Sequence, residues 1–151
     1  MVHTRKSGHS KLNKTRKAHA STSVKKQIVK KLLSMLITIK LYHWNTLTFS
    51  VHKATDDLYA ELNTLMDSMV EVLLGKHTSV NEKNKHNILN IKNIKVNNYK
   101  DNGKFKQEVE SYKKFLVGLN HVFSNYDSDL LNIRDEILAA LNKLSYLLTL
   151  K

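Results

Sequence analysis

Apolar residues recur at helical spacing along most of this chain. Val24, Ile28, Leu32, Met35, Ile39 and Tyr42 follow one another at intervals of three and four. At 100° per residue they share one face, which predicts a helix over about 23–45. A second helix is predicted over about 50–74, with Gly75 as its C-terminal cap. Phe105, Val109, Tyr112, Leu116, Leu119 and Phe123 alternate steps of four and three and predict a third over about 104–125. Leu130, Ile133, Ile137, Leu141, Leu144 and Leu148 predict a fourth over about 128–150. Residues 76–103 are rich in Asn and Lys, interrupted by Ile88, Leu89, Ile91, Ile94 and Val96, and read as a crossover with a short helix near 85–95. The expected class is all-α: four main helices, with short links inside each half and one long connection between the halves.

Composition agrees with long helices. The 151 residues include no Pro, the main breaker of helix interiors, and no Cys, which excludes disulfides and thiolate metal sites. One domain of this length buries about two-thirds of its unfolded surface. No apolar run approaches 18 residues and the start of the chain lacks the apolar stretch of a signal peptide, so a soluble intracellular protein without a membrane partner is expected.

Charge divides the chain. Residues 1–31 hold ten Lys/Arg and no acid, whereas residues 32–151 hold fifteen against thirteen acids. Residues 1–22 carry Arg5, Lys6, Lys11, Lys14, Arg16 and Lys17 with only three large apolar residues. They cannot offset the entropy of folding alone and are expected to form a mobile basic arm before a helical domain at 23–151. Such an arm can neutralise phosphates without reading sequence.

The chemistry lies between residues 43 and 71. His52 and Asp56 are four apart, as are Asp67 and Glu71, so each pair shares a helix face and can converge on one ion. Asp56 and Asp67 are eleven apart, about 20° from a common heading but about 16 Å apart along the axis. One chain therefore cannot close one site with all four. Two copies antiparallel across a two-fold axis would set the His52/Asp56 end of one against the Asp67/Glu71 end of the other, giving two equivalent sites. Imidazole nitrogen with carboxylate oxygen suits Fe(II), Mn(II) or Zn(II). A di-iron site inside one bundle is excluded, because the first helix has no acid and no Glu-x-x-His occurs. Asp57 and Glu61 point away from Asp56 and read as a solvated face.

His43-Trp44-Asn45, then His52, Asp56 and Tyr59, then Asp67 and Glu71, together resemble the ferroxidase motif of the Dps family, the mini-ferritin DNA-binding proteins of starved cells. The resemblance covers roughly residues 24–151, strongly over 40–74 and by pattern elsewhere. It implies a ferritin-like four-helix bundle with a long crossover between the second and third helices. His43, His52 and Asp56 would come from one subunit and Asp67 and Glu71 from its two-fold mate. The equivalent of Trp44 lies beside the iron in that family and intercepts oxidising equivalents, while packing explains Trp44 equally well. The resemblance further implies iron oxidation and storage inside a homo-oligomeric shell of twelve subunits, in the cytoplasm or on the nucleoid. Acidic pores would lie where the last two helices meet, near Asp127, Asp129 and Asp135. The basic arm would bind DNA non-specifically. One departure is plain: His52 follows His43 after nine residues, whereas the family has a longer stretch with a Gly or Pro turn. A ferritin-fold DNA-packaging or virion-associated structural protein, with little or no turnover, is the alternative.

Overall fold

The computed structural model describes residues 20–76 and 82–150, which contain five α-helices and no strand. They are α1 (Thr22–Asn45), α2 (Phe49–Gly75), α3 (Glu82–Leu89), α4 (Asn102–Gly118) and α5 (Ser128–Leu147). The all-α expectation holds among these residues. The arm, with Arg5, Lys6, Lys11, Lys14, Arg16 and Lys17, lies outside them.

Local chemistry sets the ends. Ser21 caps α1 by accepting from Val24 N–H at 3.3 Å, and Asp101 caps α4 by accepting from Lys104 N–H at 2.8 Å. Gly75 is not a cap: it is the last residue of α2, no glycine among the described residues has positive φ, and Lys76 closes the helix in ordinary right-handed geometry. The short helix lies earlier than expected, ending at Leu89, and residues 90–100 carry no regular structure. β-Branched Ile91, Ile94 and Val96 resist the helix there, and Asn93 sits at φ 54, a left-handed conformation Asn tolerates. α4 stops at Gly118 and gives way to a 3₁₀ turn through His121. Ser124 and Asp127 then form a reciprocal capping box one turn ahead of α5.

α2 packs against α1 on one side and α5 on the other, α4 lies on α5, and α3 lies on α1. One hydrophobic core joins them, with Met35, Leu62, Met69, Phe105, Leu116 and Leu141 among its fully buried members. Each such side chain contributes about 1.5–3 kcal/mol relative to exposure. Tyr42 of α1 stacks on Phe105 of α4 with ring centroids 3.7 Å apart. The predicted stripes are core throughout α4, and in α1 and α5 all but Val24 and Ile133 are buried.

The α1–α2 turn is short. Thr46, Leu47 and Thr48 reverse the chain, and Leu47 is 103 % and Phe49 81 % exposed. This reversal brings the end of α1 against the start of α2.

Candidate functional site

His43, in the last turn of α1, and His52, in the first turn of α2, face each other across that reversal. Their rings stack with centroids 3.9 Å apart and planes at 27°. His43 Nδ1 lies 3.0 Å from the His52 carbonyl, and His52 Nδ1 lies 3.0 Å from the His43 carbonyl. A carbonyl only accepts, so both imidazoles carry their proton on Nδ1 and donate it. Nε2 is then the basic nitrogen of each ring, the tautomer a metal ligand needs when a backbone carbonyl fixes its orientation. Thr55, fully buried beneath the pair, donates to the Val51 and His52 carbonyls at 2.8 and 3.0 Å and holds the start of α2 in place.

Asp56 completes the cluster. Its Oδ1 lies 3.7 Å from His43 Nε2, outside direct hydrogen bonding, and 3.2 Å from Lys40 Nζ. The Lys40 hydrogen bond holds the Asp56 carboxyl below its usual range, and so the carboxylate is ionised at neutral pH. Lys40 also lies over the Tyr59 ring at 4.5 Å and the Trp44 ring at 5.8 Å. His43 is buried, while His52 and Asp56 are exposed. The site is thus an exposed imidazole and an exposed carboxylate beside a buried imidazole. Trp44 stands 67 % exposed at its edge and belongs to no core.

Asp67 and Glu71 are not part of this cluster. α2 is unbroken from Phe49 to Gly75, so Asp67 stands about 16 Å along the axis from Asp56. Both acids are exposed. Asp67 borders an open hollow of about 270 Å³ whose other walls include Val29, Leu33, Leu36, Met66 and Val70. Among the described residues no group of three or more His, Cys, Asp or Glu is arranged to hold a metal ion within one chain. The structure stacks His43 on His52 and sets His43 Nε2 3.7 Å from Asp56, while Asp67 and Glu71 stand apart from them.

The family match coincides with this region. Residues 43–148 match a family of unknown function, DUF5856. The chain belongs to that family. The matched span begins at His43 and takes in His52, Asp56, Asp67 and Glu71, while the basic arm precedes it. No curated protein and no solved structure matches the chain.

Two features were not anticipated from the residues. Lys40 lies three and four residues before His43 and Trp44, a spacing that puts it on their face, and that was the available signal. The second is at the opposite end of α2. Lys76 Nζ meets Asp127 at 3.0 Å, Asp129 at 2.5 Å and the Tyr126 carbonyl at 3.0 Å. Burial opposes ionisation of Asp127, but bonds from Ser124 and Lys76 outweigh it and hold the carboxyl below its usual range. Asp135 lies 2.8 Å from Arg134 Nε. All three acids suggested for a pore thus have cationic neighbours within the chain. Buried Lys25 donates to the Leu73 carbonyl at 3.2 Å in the same corner, tying α1 to the end of α2.

Proposed function

We propose that this member of the family is a Dps-like mini-ferritin subunit, whose four long helices form a ferritin-like bundle and whose metal sites are completed between two copies. The observation that carries this is the reciprocal His43–His52 pairing, which leaves both Nε2 atoms free of the backbone, with that of His43 3.7 Å from an ionised Asp56. Its counterpart, Asp67 and Glu71, lies too far along the same rigid helix to join in cis. The open hollow beside Asp67, with its apolar walls, is the kind of surface a second α1–α2 pair would cover.

The donor chemistry fits a divalent ion. His43, His52 and Asp56 of one copy with Asp67 and Glu71 of the other would supply two nitrogens and three carboxylates, a set suited to Fe(II) and also to Mn(II) or Zn(II). Ferrous iron is here the substrate. Two ferrous ions each give one electron to a peroxide, whose O–O bond breaks to yield two waters after uptake of two protons; dioxygen is the other oxidant class. The chain's own part is to bind and orient the ion and to keep Asp56 ionised. Storage in a shell of twelve subunits built from two-fold dimers, and non-specific DNA binding by Arg5, Lys6, Lys11, Lys14, Arg16 and Lys17, complete the proposal. The arm's part is supported by the charge asymmetry alone.

A second reading is favoured by Lys40. Its ammonium lies against the carboxylate an incoming ion must take, as in a ferritin-fold DNA-packaging or virion-associated structural protein with little or no turnover. Ferrous oxidation by the purified oligomer decides between them. The mini-ferritin reading expects saturable oxidation that Asp67→Ala/Glu71→Ala removes; oxidation no faster than in buffer, with no divalent ion retained, supports the structural reading.

A further inference from the structure

The crossover holds a concentration of charge that neither the iron chemistry nor the arm explains. Outside residues 1–19 the chain has nineteen Lys/Arg against thirteen acids, and residues 83–100 contain five of those lysines and no acid. Beyond the arm, only the start of α1, with Lys25, Lys26, Lys30 and Lys31, has a comparable run of cations without an acid.

The structure holds this connection as a strap with two sides. Ser34 of α1 donates to the Lys95 carbonyl at 2.5 Å, Asn45 donates to the Tyr99 carbonyl at 3.1 Å, and Tyr99 Oη donates to Glu108 of α4 at 3.1 Å. Ile91 and Tyr99 pack on the core, and Ile94 and Val96 are half-buried. The inward side is thus apolar and pinned at three points. The outward side is Lys92, Asn93, Lys95, Asn98 and Lys100, all exposed. The left-handed turn at Asn93 breaks the alternation of an extended chain, which lets Lys92 and Asn93 both face out. Among the described residues, Lys85, Lys92, Lys95 and Lys100 form no ion pair.

We propose that this strap is a nucleic-acid contact, a phosphodiester-binding surface separate from the N-terminal arm. Lys92 and Lys95 are at most about 10 Å apart along the backbone, the reach of three extended residues at about 3.3 Å each, so their flexible stems reach phosphates of one strand. Lys and Asn both serve as donors to phosphate and sugar oxygens. The outward face has no large aliphatic or aromatic residue, so it lacks the anchor of a membrane-lying segment and the apolar hot spot of a protein interface. It offers no rigid element to enter a groove, and so it binds without sequence preference. Because the backbone is already pinned, little ordering entropy is lost on contact.

The test uses the full-length protein and a mixed-sequence duplex, with affinity followed by fluorescence anisotropy over a series of salt concentrations. Lys92→Gln/Lys95→Gln is compared with Lys114→Gln/Lys143→Gln, an equal charge change at exposed positions on α4 and α5. Two lost phosphate contacts lower the salt slope by about 1.8, at about 0.9 per contact; the control pair leaves it unchanged. The same comparison in a full-length background with the six arm cations changed to Gln separates the strap from the arm. Binding that survives arm neutralisation and disappears with the strap pair supports the proposal whatever the arm does. Equal slopes for the two pairs overturn it. So does an effect of the strap pair on binding to polyglutamate or to phosphatidylserine vesicles with none on DNA.

Discussion

A shared site makes a quantitative prediction for mixed oligomers. One variant, His52→Ala/Asp56→Ala, damages the imidazole end of α2; the other, Asp67→Ala/Glu71→Ala, damages the acidic end. Each alone has every site broken. In a two-fold dimer of one with the other, one site joins an intact imidazole end to an intact acidic end, and the second is broken at both ends. Random association of equal amounts makes half of the dimers mixed, so about one quarter of all sites are whole and about one quarter of wild-type ferrous oxidation returns. Neither variant should fail by unfolding. Asp67 and Glu71 are exposed on a helix, and Ala raises helix propensity by up to about 0.7 kcal/mol at each. His52→Ala removes one hydrogen bond to the His43 carbonyl, about 0.5–1.5 kcal/mol, or a few degrees in Tm. The assay is the initial rate of ferric absorbance after co-refolding the two variants, against each alone. A mixture no faster than its parts would refute the shared site, and full activity in Asp67→Ala/Glu71→Ala would place the site within one chain.

Other perturbations test the rest of the molecule. Lys76→Met strands Asp127 and Asp129 beside a helix end and should cost about 1–3 kcal/mol, read as a lower urea midpoint at unchanged slope; an unchanged midpoint would show the triad to be idle. The carboxyls of Asp127 and Asp129 are held below their usual range, so their contribution is full above the unfolded pKa and lost as pH falls through the folded values. Stability should therefore be flat from neutral down to about pH 4 and fall below it, with a shallower acid limb in Lys76→Met. Thr38→Val removes a fully buried hydroxyl that, like the neighbouring Tyr112 hydroxyl, makes no well-formed hydrogen bond among the described residues and should leave stability unchanged or higher, whereas a fall in Tm of several degrees would reveal a Thr38–Tyr112 bond. Changing the six arm cations to Gln should weaken DNA binding steeply at low salt while leaving ferrous oxidation untouched, and a loss of both would tie the arm to assembly instead.

What the residues revealed in advance was what periodicity encodes. The stripes from Ile28 to Tyr42 and from Phe105 to Leu116 are core because a helix repeats every 3.6 residues and nothing in these segments interrupts it, whereas Leu119 and Phe123 are buried beyond the end of α4. Gly75 misled because glycine at a helix end is a cap only when the chain must turn left-handed there; Lys76 anchors to Asp127 and Asp129 instead, and the helix closes without such a turn. The crossover misled for a different cause: Ile91 and Ile94 have helical spacing, but the backbone that follows them is held at Lys95 and Tyr99 by Ser34, Asn45 and Glu108, far away in the chain. At the candidate site the residue types and the incompatibility of Asp56 with Asp67 in cis were legible from spacing. The protonation of the two histidines was not, because it depends on which backbone carbonyls the three-residue turn presents to them. The short link between His43 and His52, a departure from the Dps pattern, is what lets each ring reach the other's carbonyl. A longer loop would separate the two carbonyls and free both rings to rotate. On the proposed metal-binding reading, the short link orients the imidazoles in advance, so an ion would have less ring rotation to freeze.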